Sequence, residues 1–359
     1  MKKMSKPVQP PKLSRQSLNS WINYGIVLAF YVVIQAFSGS ISSSFTGQLV
    51  PICTYVIMAI SLNLVVGVSG ELSLGHAGFM SVGAFTGVIV AACLTEAVPV
   101  PGLRLLICIL AAAAIAAVVG ALIGIPVLRL RGDYLAIVTL AFGEIIKNVV
   151  NCLYVGLDST GLHVALINSS KLNMEPEGTM IINGPMGALG ITKISSFLAG
   201  IVLVLVTLFI VQNLVNSRAG RAIMAIRDNR IAAEASGLSV TKYKMMAFVL
   251  SAAMAGAAGA LYALNYSTVV AKKFDFNTSI LVLVFVVLGG MGKIRGSIIA
   301  AAVLTVLPEM LRSFADYRML VYAIVLIVVM IVTNGSGVKQ LVSRIRGKFG
   351  SKKGAGANE

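Results

Sequence analysis

The sequence predicts an all-α protein that crosses a membrane about eight to ten times. Hydrophobic residues make up 57% of its 359 residues and charged residues only 12%. The apolar residues are gathered into long runs, and the loops between them alternate between many and few basic residues. Because hydrocarbon offers no partner for backbone N–H and C=O groups, each long apolar run is expected to form a helix.

The predicted spans follow one another along most of the chain. In order they cover residues 21–37, 48–68, 73–97, 103–125, 134–154, 194–215, 245–266, 274–290, 297–311 and 319–333. The first follows a basic leader, as a secretory signal would, but its length and aromatic residues predict an uncleaved helix. The last three are short for about 30 Å of hydrocarbon, which leaves broken or re-entrant segments open as alternatives.

The basic residues of the loops predict the orientation of the chain. With the N-terminus inside, 21 of the 29 Lys and Arg residues fall on the inner side and seven on the outer side. This bias predicts a membrane domain at 21–335 between cytoplasmic tails at 1–20 and 336–359. Two connections are long: a periplasmic loop at 155–193, sufficient for a small lid or docking surface, and a charged, Ala-rich cytoplasmic segment at 216–245.

Composition argues against several functional classes. The net charge of +16 does not predict nucleic-acid binding, because the basic residues sit at the ends of apolar runs and are not interleaved with aromatic residues. Two histidines support no catalytic triad or metal site, so we expect no catalytic residue, metal or cofactor in this chain. The string 289–294 lacks the glycine spacing and the hydroxyl of a phosphate-binding loop. Any ATP hydrolysis would therefore belong to another subunit.

The first candidate site is the stretch 67–79, at the boundary between two apolar runs. Six of its thirteen residues are Gly or Ser. Glycine permits unwound backbone whose free amides and carbonyls can face a water-filled path. The predicted path residues are Gly70, Glu71, Ser73, Gly75 and His76, with an ordinary tight loop as the alternative. We expect Glu71 and His76 near the inner surface, either solvated or at a helix end.

A second glycine-rich break follows late in the chain, at 289–292 and Gly296. Broken segments in both halves indicate an internal repeat around a central path. By contrast, Gly83 and Gly87 are spaced i, i+4 inside an apolar run, which favours a close contact between two helices over a ligand site.

Glu144 and Lys147 lie one turn apart inside the predicted span 134–154. Ionisable groups at this depth are costly unless they are paired or face water. Their i, i+3 spacing lets them neutralise each other, which favours a structural ion pair. A direct role on the translocation path is the alternative.

The cytoplasmic string 217–238 predicts a short docking helix. Asp228 or Asn229 can cap a helix over 231–236, and Gly237 can end it by adopting a positive φ. Ile231, Ala232 and Ala235 would form a small-residue face that fits a groove in a soluble partner. A solvated basic loop is the alternative. The candidate coupling residues are Arg227, Asp228, Asn229, Ile231, Glu234, Ala235 and Gly237.

Four strings together resemble the permease subunits of branched-chain amino acid ABC importers. They are SGELSLGHAGFMSVGAF (69–85), RLRGDYLAIVTLAFGEIIKNVVN (129–151), SRAGRAIMAIRDNRIAAEASGLSVTKYKMMAFVLSAAMAGAAGALYA (217–263) and LGGMGKIRGSIIAAAVLTVLPEMLR (288–312). They fall in the order that the family uses and cover most of 50–335. They are most similar to the larger of the two paired permeases.

The resemblance implies a multi-pass subunit of the bacterial inner membrane, in contact with membrane lipid. It further implies a second permease, two cytoplasmic ATPase subunits that use ATP and Mg, and a periplasmic amino-acid binding protein. Leu, Ile or Val would pass between the permeases, driven through a cytoplasmic coupling helix. Glu234 and Gly237 match the Glu and Gly of that helix, whereas Glu234-Ala235-Ser236 departs from the family's Glu-Ala-Ala pattern.

Two other functions stay open from the sequence. A self-sufficient ion-coupled transporter would use Glu71, Glu144 and Lys147 and would take up solute without partners. Related permeases carry urea, short amides or aromatic acids, so another small solute is a further alternative. A membrane enzyme with His76 as base lacks a second catalytic group.

Overall fold

The computed structural model describes residues 15–36, 43–130, 132–159, 161–167, 172 and 178–311, together with 320, 323, 324 and 327. The predicted span 319–333 falls almost wholly outside the described residues, as do the tail 336–359 and most of the leader 1–20.

The described chain folds into eleven α-helices. They are α1 (Arg15–Ala36), α2 (Ser43–Asn63), α3 (His76–Cys93), α4 (Pro101–Val127), α5 (Asp133–Asn151), α6 (Phe197–Asn216), α7 (Arg218–Asp228), α8 (Arg230–Ala235), α9 (Val240–Ala263), α10 (Phe276–Gly289) and α11 (Ile294–Met310). In the described residues, five helical stretches are long and apolar enough to cross a membrane: Phe45–Val68, α3, α4, α6 and α9. Ile22–Ala36 and α10 are shorter apolar helices. The predicted all-α membrane fold is confirmed.

The core is built on the contacts of α9 with α3 and α4, and these contacts depend on small residues. A Cβ on Gly83 would collide with the backbone of Gly256, and one on Gly87 would come within 2.7 Å of the Cβ of Ala260. The contact predicted from the spacing of Gly83 and Gly87 is confirmed. Without a hydrophobic force between helices in lipid, such close backbone approach is what holds them together.

Apolar side chains also cover the outside of the bundle. On α4 and α6 the exposed large hydrophobic residues include Leu106, Leu110, Val118, Leu122, Val202, Val206 and Phe209. A soluble monomer rarely exposes so much contiguous apolar surface, whereas a lipid-facing helix requires it.

The connection that was predicted as a periplasmic loop contains a small sheet that the sequence analysis did not foresee. Its strands are β1 (Leu153–Asp158), β2 (Gly161–Leu166) and β3 (Thr179–Asn183), in the antiparallel order β2-β1-β3. The pairing of β1 with β3 shifts in register between Val155 and Gly156. Val155 and Ile182 are buried, so one side of the sheet packs onto the helices.

The sheet and the segment α7–α8 lie at opposite ends of α9. At its start, Val240 packs against Ile226 of α7 and Ala233 of α8. Just after its end, the carbonyl of Leu264 accepts a 3.1 Å hydrogen bond from the Ile194 amide. Val269 then pairs with Ala188, which also pairs with Ile182 of β3. The 24 residues of α9 span about 36 Å, close to the thickness of a bilayer core. We call the end that carries α7 and α8 the coupling face, after the docking role predicted for this segment. The end that carries β1–β3 is the sheet face.

Candidate coupling and translocation site

The chain between α2 and α3 is unwound where the first break was predicted. The helix widens into a π-helical turn at Leu64–Val68, and the backbone is then non-helical until α3 begins at His76. Gly70 adopts φ +76°, a conformation that favours glycine. The amide of Glu71 reaches back 3.0 Å to the carbonyl of Val65, so the turn satisfies part of its own backbone.

The second glycine-rich break lies directly against the first. The amide of Gly292 donates a 2.8 Å hydrogen bond to the side-chain oxygen of Asn63, and the Asn63 amide donates at 2.9 Å to the hydroxyl of Ser297. A Cβ on Gly67 would collide with both Asn63 and Gly292. One buried asparagine therefore ties α2 to the start of α11 across the two breaks.

His76 differs from the prediction in its surroundings. It stands at the helix end expected for it, but only 2% of its surface is exposed, so the solvated alternative is wrong. Its Nε2 lies 2.7 Å from the hydroxyl of Ser61, two residues before Asn63 in α2. A polar residue in the preceding span supplies the partner that water was expected to provide.

The neighbouring residues of this stretch pack onto α5. The amide of Leu74 donates a 3.0 Å hydrogen bond to the hydroxyl of Thr139, and a Cβ on Gly75 would collide with the Thr139 carbonyl. Ser73 is buried, and its hydroxyl has no hydrogen-bond partner in the described structure. The absence of a side chain at Gly75 thus permits the close approach of α3 to α5.

Glu71 forms an ion pair with Lys244, in the first turn of α9. The two side chains are only 12% and 14% exposed. A charge held in such a position is tolerated because its partner neutralises it. The pair fixes the break to the helix that begins at the coupling face.

Arg227, the penultimate residue of α7, reaches the same break from the coupling face. Its Nη1 donates a 2.9 Å hydrogen bond to the carbonyl oxygen of Gly67. Its aliphatic stem lies over Gly70, where a Cβ would come within 2.6 Å of the Arg227 Cγ. Its Nε and Nη2 also bind the carboxylate of Asp228 at 3.0 and 2.9 Å, which holds the guanidinium in place.

The short helix predicted within 231–236 is α8, and its ends follow the predicted chemistry. Asn229, one of the two expected caps, accepts a 3.0 Å hydrogen bond from the Ala232 amide. Gly237 adopts φ +81°, and its amide bonds to the carbonyl of Glu234 at 2.9 Å. Asp228 instead binds Arg227.

One side of α8 is buried against neighbouring helices and the other side is exposed. Ala233 is buried against α7 and α9, while Ile231, Ala232 and Ala235 are exposed. Ile231 is 80% exposed and forms one apolar side of α8 with the exposed Ala232 and Ala235. Glu234 pairs with Arg230 at 2.9 Å across one turn, and both side chains remain partly open to solvent.

Glu144 and Lys147 form the ion pair that their spacing predicted. Their side chains are 34% and 19% exposed. Both belong to α5, which contacts the first break through Thr139 and Gly143. In the described part of the chain, no three His, Cys, Asp or Glu side chains cluster as metal ligands, and all four cysteines are free thiols.

The residues that connect these parts were not predicted from the sequence. Ser61 and Asn63 were polar residues in an apolar run, one turn before a glycine-rich break, which is a signal that could have identified them. Lys244 was considered only among the basic residues that predict orientation in the membrane. Arg227 was considered only as a candidate residue of the docking helix. Nothing in the local sequence indicates that either reaches 67–71.

Comparison with known proteins places the chain among transport proteins. The family model described as branched-chain amino acid transport system / permease component matches residues 44–331. Two relatives are the high-affinity branched-chain amino acid transport system permease proteins LivM of Salmonella typhimurium and of Escherichia coli. Each is 35% identical over 255 residues, which is 64% of this chain and 56% of the relative.

A third relative is more distant. The probable branched-chain amino acid transport permease protein LivM of Methanocaldococcus jannaschii is 28% identical over 55% of this chain and 54% of its own length. The chain thus spans little more than half the length of these relatives. No solved structure matches it. The family model covers well over half of the chain, and the chain therefore belongs to the family of branched-chain amino acid transport system permease components.

Proposed function

We propose that this chain is a permease subunit of a binding-protein-dependent ABC importer and forms part of the translocation path for Leu, Ile or Val. Membership of the permease family supports this proposal, as do the names of its relatives. The chain acts as a transport subunit and leaves ATP hydrolysis to others.

The exposed side of α8 docks onto a cytoplasmic ATPase subunit, which binds ATP and Mg. Ile231, Ala232 and Ala235 supply the apolar contact, while the Arg230–Glu234 pair borders it. Two such ATPase subunits serve this chain and a second permease. A helix that lays small apolar residues into a groove is a common mode of docking.

The coupling face is cytoplasmic and the sheet face is periplasmic, in a bacterial inner membrane. The cationic residues of α7, α8 and the first turn of α9 support this orientation, since inner loops carry the excess of Lys and Arg. The sheet then meets the periplasmic binding protein, and the apolar sides of α4 and α6 face lipid or the second permease.

The link from Arg227 to Gly67 is the observation that carries the mechanism. When the ATPase subunits close, α7 and α8 move, and Arg227 pulls on the π-helical turn at Gly67, just before the unwound segment. Lys244 holds Glu71 of the same break, and Asn63 joins it to the second break. Both breaks therefore respond to one displacement and open or close the path between the permeases.

Reconstitution in lipid vesicles tests this function. With ATP, the assembled transporter of both permeases, two ATPases and binding protein is expected to accumulate leucine, whereas this chain alone accumulates nothing. Accumulation by the chain alone under an ion gradient would establish the ion-coupled alternative. That alternative is weakened because Glu71 and Glu144 are both already paired with lysines. Urea uptake without leucine uptake would instead show that the transporter carries another small solute.

A further inference from the structure

Two cavities of the same size, about 400 Å³ each, open in the membrane part of the structure. The first lies between α1, α2, α6 and α11 and is lined by hydrophobic side chains throughout. The second lies between α2, α9, α10 and α11 toward the sheet face, and it combines apolar walls with charged and hydroxyl groups. Both volumes are typical of small-molecule sites.

The two charged groups of an amino acid decide which of the two cavities could bind it. A free amino acid carries an ammonium and a carboxylate, and burial of either charge without a partner is strongly unfavourable. The wholly apolar cavity offers no such partner. The second cavity places the ammonium of Lys273 and the carboxylate of Glu309 on its walls.

Three tyrosines give the second cavity a fixed wall. The rings of Tyr55 and Tyr262 meet edge to face with centroids 6.4 Å apart, and Tyr262 lies 4.9 Å from Tyr266. Phe285 supports Tyr55 at 6.1 Å, and Phe274 supports Tyr262 at the same distance. Aromatic rings held by other rings lose little freedom when they bind a ligand, which favours affinity.

The position of the cavity suits an entrance. Tyr262 and Tyr266 stand at the end of α9 that faces the sheet, and Lys273 lies in the short 3₁₀ turn Ala271–Phe274 that follows. Lys273 is exposed, so its ammonium meets solute that arrives from the sheet face. Pro51 and Leu281 supply aliphatic surface in the same cavity.

We propose that this cavity is a low-affinity site for a zwitterionic aliphatic amino acid, at the entrance of the path. Lys273 binds the carboxylate, Glu309 attracts the ammonium, and the tyrosine rings with Leu281 receive the aliphatic side chain. The inference deepens the proposed function and rests on it, since it names the groups that receive the solute before the breaks move.

Saturation-transfer NMR on the full-length chain in lipid nanodiscs tests the site with three probes: L-leucine, leucinamide and 4-methylpentanoate. The first carries both charges, the second lacks the carboxylate and the third lacks the ammonium. Leucine is expected to bind about tenfold more tightly than either analogue, the usual value of one charged contact. Equal binding of all three would overturn the proposal.

Two variants and one matched control locate the binding. Lys273→Gln is expected to weaken leucine about tenfold and to leave leucinamide unchanged. Thr305→Phe fills the cavity from α11 and is expected to abolish leucine binding. The control is Lys272→Gln, an adjacent exposed lysine outside the cavity, which is expected to change nothing. Equal losses at Lys272 and Lys273, or unaltered binding in Thr305→Phe, would refute the site.

Leucine uptake by the assembled transporter distinguishes failure of the cavity assignment from failure of the proposed transport function. If leucine is transported but binding in nanodiscs ignores Lys273 and Thr305, the cavity assignment is wrong and the function stands. If leucine binds as expected but no assembly transports it, the site stands and the proposed function is wrong.

Discussion

Arg227 and Gly67 are 160 residues apart in the sequence and are joined by a 2.9 Å hydrogen bond from the guanidinium to the carbonyl oxygen. The donor belongs to the last turn of α7, and the acceptor to the π-helical turn that precedes the unwound segment. A hydrogen bond from a charged donor to a backbone carbonyl is stronger than one from a neutral donor. The contact therefore joins α7 directly to the first break.

The buried pair of Glu71 and Lys244 is expected to matter for stability. Glu71→Lys or Lys244→Glu leaves two like charges in a site that is less than 15% exposed, and each is expected to cost about 3 kcal/mol. The double swap, Glu71→Lys with Lys244→Glu, restores the pair and is expected to recover most of the loss. Thermal unfolding in detergent measures this, with exposed Lys242→Gln as the control. A double swap no better than the single variants would contradict the pair.

Gly67 is expected to tolerate no side chain. A methyl group there collides with Asn63 and Gly292, so Gly67→Ala forces the two breaks apart and is expected to destabilise the protein by about 1–3 kcal/mol. Gly25→Ala, in α1, meets nothing within 4 Å and is expected to be neutral or slightly stabilising. Both are compared by the same thermal unfolding measurement. Equal stability of the two variants would contradict the close contact between the two breaks at Gly67.

Gly237 is expected to serve coupling and not overall stability. A valine at φ +81° is strained by roughly 1–2 kcal/mol, and at this position it distorts the end of α8. We expect Gly237→Val to reach the membrane in normal amount but to hydrolyse ATP without transport in the assembled complex. Gly190→Val carries similar strain at φ +67° on the sheet face, with open space around it. If both variants transport equally, α8 is not the docking helix.

The pair of Glu144 and Lys147 distinguishes a structural role from a place on the path. Glu144→Gln strands the Lys147 ammonium inside α5, whereas replacing both by glutamine removes the unpaired charge. The single variant is therefore expected to assemble less well than the double variant, as measured by the yield of folded protein in the membrane. Full assembly of both with transport lost in both would favour a direct path role.

The features that follow from local chemistry were predictable. Asn229 and Gly237 bracket α8 because capping depends on a side chain two or three residues away and on a backbone φ that glycine adopts freely. The spacing of Gly83 and Gly87 likewise indicated a helix contact, since i, i+4 residues share one face.

The features that depend on distant neighbours were not predictable. His76 was expected to be solvated or at a helix end, but its imidazole is buried and hydrogen-bonds to Ser61 in another helix. Lys244 was assigned to an inner loop by its charge, and only the fold brings it to Glu71. The strands β1–β3 escaped notice because their glycines and polar residues interrupt the alternation that indicates a strand.

We infer that Arg227 couples the α7–α8 segment to the break at Gly67. The most direct test of this coupling is the amount of leucine transported per ATP hydrolysed by the complete transporter that carries Arg227→Ala. We expect hydrolysis to continue and this ratio to fall about tenfold or more, the value of one charged hydrogen bond, while exposed Arg218→Ala in the same helix leaves the ratio unchanged. A normal ratio in Arg227→Ala would contradict the account.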